Sequence, residues 1–289
     1  MHIALGWRRL SCPGEFALRS PLRQFLLCLT CALAAPPTLA RDLGADGRFD
    51  ERRSTPFLLR QDVDIDVRSG PRGGRAFERE VLDALEEGYD QLDDRLGLRA
   101  RRRLEVVIYD PAVFDANYAG LSRFPAAGFY AGTIRVRGDR VLSQRLRSTL
   151  HHELVHAAFD AVAPGLALPG WLNEGLAEWF EAELAGRPLL SRAEAAHLAR
   201  LGAHGQLLPI ESIGERSFAR FDGGAAAAAY SQARALVAEL VRIGVNRAPA
   251  ELVQRLLRTG DVDHSLERTI GLDAAGLEAS LLGSLGLTP

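Results

Sequence analysis

The amino-acid sequence predicts an α+β fold, with a small mixed sheet and packed helices in the N-terminal part and a helical C-terminal part. Two strand-like segments flank a long helical pattern in the first half of the chain, and helical spacing dominates after Val141. No internal repeat interrupts either part. The 289 residues are enough for one large domain or two small ones.

The composition is that of an ordinary globular protein, with 47% hydrophobic and 25% charged residues. All 35 basic residues are arginine, and acidic residues are interspersed among them. The longest basic run, residues 101–103, is expected to end a surface turn rather than to contact a phosphate backbone. The sequence therefore predicts no nucleic-acid partner, and it leaves the oligomeric state open.

Residues 1–40 are predicted to be a signal peptide. Arg19 and Arg23 precede the short apolar run "FLLCLTCALAA", and the small residues Thr38 and Ala40 suit cleavage after Ala40. The run is too short for a stable membrane span, so we expect an exported protein, either periplasmic in a bacterium or secreted. The mature chain would contain no cysteine, because all three precede position 40. The alternative is a buried N-terminal helix.

The next segment, residues 41–74, is assigned to a polar N-terminal stretch and one strand. Its first part is rich in glycine and polar residues and is expected to be loose. The sequence "DVDIDV", residues 62–67, alternates acidic and apolar side chains, which is typical of a half-exposed strand. The main domain is expected to cover residues 75–289.

The main domain is predicted to begin with a helix packed on a small sheet. Apolar residues recur at helical spacing over Phe77–Leu96, and Gly97 occupies the expected C-cap. The apolar segment "LEVVIYD" predicts a buried strand that stops at Pro111. Alternation in "GTIRVRGD", residues 132–139, predicts another strand.

Helices are predicted for nearly all of the remaining chain. Ser191 and Glu194 have the spacing of a capping box, and the alanine run at residues 225–229 is expected to begin a helix rather than to form a linker. The predicted helices cover residues 145–160, 172–184, 191–202, 230–243, 250–257, 264–270 and 274–282.

The sequence "HELVH" predicts a metal centre. On a helix, His152 and His156 lie one turn apart on the same face, so both imidazoles can bind one ion. Glu153 is offset around the helix and can reach a water on the metal as a general base. This donor set predicts Zn²⁺ as the cofactor. His151 has Val155 four residues later and is expected to be no ligand; the alternative for the whole motif is a surface helix without metal.

A third ligand is expected from the segment "PGWLNEGLAEWFE". The extended motif His-Glu-x-x-His-x-x-Gly-x-x-His is excluded, because Phe159 and Val162 occupy the positions of its Gly and its third His. Glu174 follows His156 by 18 residues, which leaves room for one loop and a returning helix. Glu178 lies one turn later and is predicted to accept a hydrogen bond from a ligating histidine.

Together, "HELVH" and "WLNEGLAEW" resemble the two zinc motifs of the gluzincin metallopeptidases. Residues 171–177 differ from the Trp-Leu-Asn-Glu-Gly-Phe-Ala of zinc aminopeptidases only at Leu176, and the bacterial peptidase MA-like domains are more similar over about residues 77–285. The resemblance implies a zinc-peptidase architecture for the main domain. Glu178 departs from the Asp of the thermolysin-like pattern. No Gly-x-Met-Glu-Asn motif is present, which favours an endopeptidase.

The resemblance also implies two further roles. The strand before the motif helix, residues 132–137, is expected to be a sheet edge that pairs with an extended substrate, or an edge with nothing bound. A downstream Tyr or His is expected to stabilise the oxyanion. Tyr230 is the candidate, with His197 and His204 as substitutes; the alternative is that Tyr230 only packs on the core.

The expected function is that of an exported zinc endopeptidase acting on peptide or protein substrates. One alternative is a catalytically silent, zinc-stabilised binding or scaffold protein of the cell envelope; Glu153 argues against it, because a structural site needs no general base. A second alternative is a helical interaction protein without metal. A cell-wall amidase ranks below these, because no peptidoglycan-binding segment is evident.

Overall fold

The structure, a computed structural model, describes most of the chain after residue 48. The described residues are 49–65, 73–118, 127–214, 218 and 221–287. All of them belong to one unit, Leu43–Pro289. The predicted signal peptide lies outside the described residues. Among the helices of the described ranges, none has the length and apolar character needed to cross a membrane.

The N-terminal part contains a five-stranded mixed sheet. Its strands are β1 (Asp50–Arg53), β2 (Phe57–Gln61), β3 (Leu104–Tyr109), β4 (Gly128–Tyr130) and β5 (Ile134–Arg137). The strand order is β1-β2-β3-β5-β4. The three inner strands are parallel to one another, and each outer strand is antiparallel to its neighbour.

Two of the predicted strands are confirmed, as β3 and the centre of residues 132–139. The strand predicted over residues 62–67 is wrong in its described part, since β2 lies directly before it. Residues 57–61 pair fully with β3, and the Asp62 side chain then accepts a hydrogen bond from the Asp110 amide at 2.6 Å. The Asp62 side chain therefore bonds the backbone just after β3, and β2 ends one residue before Asp62. The segment expected to be loose contains β1.

Helices make up most of the structure. They are α1 (Gly73–Leu96), α2 (Pro111–Tyr118), α3 (Gln144–Val162), α4 (Gly170–Leu184), α5 (Arg192–Ala203), α6 (Gly223–Gly244), α7 (Ala248–Thr259), α8 (Val262–Ile270) and α9 (Ala274–Ser284). All predicted helices are confirmed, including the capping box at Ser191 and Glu194 and the C-cap at Gly97, which has φ +66°. The sequence analysis missed α2, which Pro111 begins instead of only ending a strand.

The helices cover the two faces of the sheet unequally. Helices α1 and α3 pack on one face together with the main core, whereas α2 packs on the other over a small cluster of Val107, Tyr109 and Phe114. Helix α4 contacts both α3 and α6. The α+β class is therefore confirmed, and α3 lies between the sheet and the C-terminal helices.

Candidate metal centre

Helix α3 is fixed by its cap and by its apolar side. The Ser143 side chain accepts a hydrogen bond from the Leu146 amide at 3.2 Å, so the helix begins at Gln144. Leu146, Leu150 and Leu154 are buried in the main core. This burial determines the rotation of the helix, which directs His152 and His156 towards α4.

Helix α4 places the third candidate ligand opposite these histidines. Trp171 and Leu172 are buried at its first turn and anchor it in the core. Gly175 allows α6 to approach closely, because a Cβ there would lie 2.6 Å from the Ala233 carbonyl oxygen and 2.6 Å from a Val237 methyl. Glu174 is thereby held in a buried layer between α3 and α6.

The predicted ligands converge on one point. The Nε2 atoms of His152 and His156 lie 3.3 Å and 3.7 Å from Oε2 of Glu174, and one ligand atom from each residue lies within 4.8 Å of the others. Two ligands of a tetrahedral zinc ion with bonds of about 2.0–2.1 Å are about 3.3 Å apart. The two imidazoles and one carboxylate therefore fit a zinc ion in both chemistry and spacing.

His156 is oriented by Asn173 of α4. Its Nδ1 lies 3.1 Å from Oδ1 of Asn173, and with that amide oxygen as the acceptor Nδ1 is the donor. Nε2 then faces Oε2 of Glu174 at 3.7 Å, where it can bind a metal ion or hold a second proton. Sequence analysis did not assign this role to Asn173.

The outer nitrogen of His152 faces acidic residues of α4. Nδ1 lies 3.9 Å from Oε2 of Glu181, whose other oxygen accepts a hydrogen bond from Arg187 at 2.7 Å. One carboxylate oxygen of Glu178 lies within 4.8 Å of a ring nitrogen of His152, and Oε2 of Glu178 is 3.8 Å from Nε of Arg234. The hydrogen bond from a histidine to Glu178 stays a prediction, and Glu181 is a second candidate that sequence analysis missed.

The charges of the cluster favour a cation. Burial alone would lower the pKa of His152, but the hydrogen bond to Glu174 and the charges of Glu153, Glu174 and Glu178 raise that pKa to about 10. Burial would raise the pKa of Glu174, yet the two histidines hold it well below its ordinary value. Without a metal ion, the Glu174 carboxylate thus stabilises protons on the two histidines. A bound metal ion would take the place of those protons.

Glu153 differs from Glu174 in its electrostatics. Its side chain is buried, and burial raises the pKa of its carboxyl group despite the opposing effect of His152 and His156. Both histidines are close enough to Glu153 for their charges to affect its pKa. A carboxylate with a raised pKa beside a candidate metal centre is suited to accept a proton from water.

Tyr230 of α6 lies near the same cluster. Burial, followed by the charges of Glu174, Glu153 and Glu178, raises the pKa of its hydroxyl group, which therefore remains a donor at neutral pH. Its ring also packs on Phe218 with centroids 5.1 Å apart. Both interpretations of Tyr230 are thus compatible with its position.

His197 and His204 are exposed at the surface. Nδ1 of His204 is engaged by the Arg200 carbonyl at 2.7 Å, which supports a surface role for this residue. Tyr230 is partly buried beside Glu174 and Glu153, so it is the best placed of the three candidates.

The sheet edge beside α3 is not the strand that the resemblance implied. Residues 132–137 contain β5, which is paired on both sides, with β3 and with β4. The outer strand is β4, which contacts α3. The predicted edge is therefore wrong by one strand, because the short antiparallel β4 precedes β5 and covers its free side.

Comparison with models of known protein families finds none that matches this chain. Comparison with curated proteins likewise finds no protein of significant similarity. A functional assignment must therefore come from the chemistry of the residues themselves.

Proposed function

We propose that this protein is a zinc-dependent peptidase of the gluzincin type, with residues 75–289 as a peptidase MA-like domain. The observation that carries the proposal is the convergence of His152, His156 and Glu174 beside the buried carboxyl of Glu153. Three donors of this kind suit a catalytic zinc, which keeps one position for water or substrate. We further propose that the protein is exported and acts as an endopeptidase.

The three donors would hold the ion, and the neighbouring residues would orient them. When bound, zinc supplies a Lewis acid that polarises a substrate carbonyl and acidifies water. Asn173 would fix the ring of His156 by accepting a hydrogen bond from its Nδ1. Glu181, itself bonded to Arg187, lies behind His152. Such outer contacts determine which nitrogen of each ring is free to bind.

Glu153 carries the proton transfers. Its carboxylate accepts a proton from the attacking water and then returns the proton to the leaving amine of the substrate. Burial raises the pKa of Glu153, which makes its carboxylate a stronger base than an ordinary glutamate. Tyr230 remains protonated and can donate a hydrogen bond to the oxyanion of the substrate.

The substrate is proposed to be an extended peptide or protein segment that pairs with β4. In the described part of the sheet, β4 pairs with β5 on one side only. Main-chain hydrogen bonds to a free strand edge bind peptides with little dependence on sequence. This arrangement suits a peptidase better than it suits a silent zinc-stabilised scaffold, which would need neither Glu153 nor an open edge.

The Glu153→Gln variant tests the proposed chemistry. Zinc content should stay at the wild-type level, while cleavage of fluorescein-labelled casein should fall by about 10²–10⁴-fold, since the general base is lost. Glu183→Gln is the matched control, because Glu183 is on the exposed side of α4 and pairs with Arg95 at 2.7 Å. Wild-type cleavage rates in Glu153→Gln would rule out this mechanism.

A further inference from the structure

The outer strand β4 is short for an element that would bind substrate. It contains three residues, Gly128–Tyr130, and pairs with β5 from Gly128↔Val136 to Tyr130↔Ile134. Short edge strands held on one side only open readily. Its position beside α3 must therefore depend on contacts other than the sheet.

One such contact is a three-residue cluster at the end of β4. The Tyr130 hydroxyl donates to Oδ2 of Asp160 at 2.6 Å. Arg102 donates through Nη2 to the same Asp160 oxygen at 2.9 Å and to the Tyr130 oxygen at 3.1 Å. The three side chains come from β4, from α3 and from the loop before β3. The cluster thus joins the edge strand to the helix that carries the metal ligands.

A second contact holds the other end of β4. A Cβ at Gly128 would lie 2.8 Å from the Cγ2 methyl of Thr149, so the strand backbone is directly against α3 there. Thr149, Glu153, His156 and Asp160 follow the spacing i, i+4, i+7 and i+11, which places them on one face of a helix. The two contacts with β4 therefore bracket the catalytic base and one metal ligand along α3.

We infer that Tyr130, Asp160 and Arg102 form an edge-strand clasp that holds β4 beside α3 and positions it for peptide binding. This inference rests on the proposed function, because it assigns a positioning role in that reaction. The clasp acts through the strand and contacts no reacting atom. Loosening it should weaken peptide binding without removing zinc.

The Tyr130 hydroxyl is the strongest part of the clasp. A hydroxyl that donates to a carboxylate at this distance forms a charge-assisted hydrogen bond. Burial and the bond to Asp160 raise the pKa of Tyr130, so the donor persists at neutral and moderately alkaline pH. The Arg102–Asp160 pair is about half exposed at both side chains and should contribute less.

The test is Tyr130→Phe, which removes the hydroxyl and keeps the ring. Hydrogen exchange of the segment 127–131 in the full chain should become about tenfold faster. The KM for fluorescein-labelled casein should rise by about five- to tenfold, with kcat and zinc content near wild type. Asp160→Ala should reproduce both effects, and Asp160→Asn, which keeps an acceptor oxygen, should restore most of the protection.

The matched control is Thr269→Val. It also removes one hydroxyl donor, which bonds the Ser265 carbonyl at 2.7 Å, but it does so in α8, which packs on α6, α7 and α9, so the exchange of segment 127–131 and KM should stay unaltered. Unchanged exchange and KM in Tyr130→Phe, in a protein that binds zinc and cleaves casein, would overturn the clasp alone. A wild-type protein with neither zinc nor cleavage would overturn the proposed function and, with it, the role of the clasp in binding.

Discussion

Glu153 and Glu174 are two buried carboxyl groups with opposite properties. The histidines hold the pKa of Glu174 low, which keeps it ionised as a ligand, whereas burial raises the pKa of Glu153. Groups whose surroundings separate their pKa values in this way can divide the work of binding and proton transfer. At the scale of single residues, this contrast supports the proposal that Glu174 binds the metal ion and that Glu153 transfers the protons.

Tyr230 provides a test at the same scale. Replacing it with phenylalanine should lower kcat by about 10- to 100-fold through the loss of one donor to the oxyanion, while zinc content stays unchanged. The ring contact with Phe218 is retained in this variant, so stability should change little. Steady-state kinetics with casein would measure the effect.

Tyr89→Phe is the control for that variant, since the Tyr89 hydroxyl donates to the Ala100 carbonyl at 2.9 Å, on a loop before β3. It should lose no activity. Equal kcat values for Tyr230→Phe and wild type would assign Tyr230 to core packing alone.

At the scale of elements, every helix except α2 could be predicted, whereas the outer strands could not. Helix α3 shows its apolar face through Leu146, Leu150 and Leu154 within one short segment. The strands β1 and β4 have four and three residues, too few for alternation to be distinguished from loop composition. The sequence analysis chose β5 as the edge because it did not recognise β4, which pairs with β5 as a local antiparallel hairpin.

The close contact between α4 and α6 at Gly175 leads to a prediction at the scale of elements. Gly175→Ala should lower the free energy of unfolding by about 1–3 kcal/mol, because the new methyl would overlap the Ala233 carbonyl oxygen and Val237. For a domain of this size, that corresponds to a decrease in Tm of about 2–12 °C. Thermal unfolding followed by circular dichroism measures the shift.

Gly283→Ala serves as the comparison, because the space around Gly283 in α9 is open. It should leave Tm unchanged or raise it slightly through helix propensity. A Gly175→Ala protein as stable as Gly283→Ala would show that the α4–α6 spacing does not depend on the glycine.

At the scale of the whole molecule, the candidate site joins two parts of the fold. Helix α3 packs on the sheet, and α4 packs on the C-terminal helix α6. The spacing of His152, His156 and Glu174 was predictable because two local motifs encode it. The hydrogen bond between Tyr130 and Asp160 could not be predicted, since only the packing of β4 on α3 brings these two residues together.

The most direct measurement is the zinc content of the purified protein beside Glu174→Ala and the exposed control Glu183→Ala. Wild type and control should each bind about one zinc per chain and gain thermal stability from it, because the metal ties α3 to α4. Glu174→Ala should lose most of its zinc. A folded wild type that stays free of zinc after supplementation, or a Glu174→Ala protein that binds zinc as well as the control, would contradict the three-ligand site.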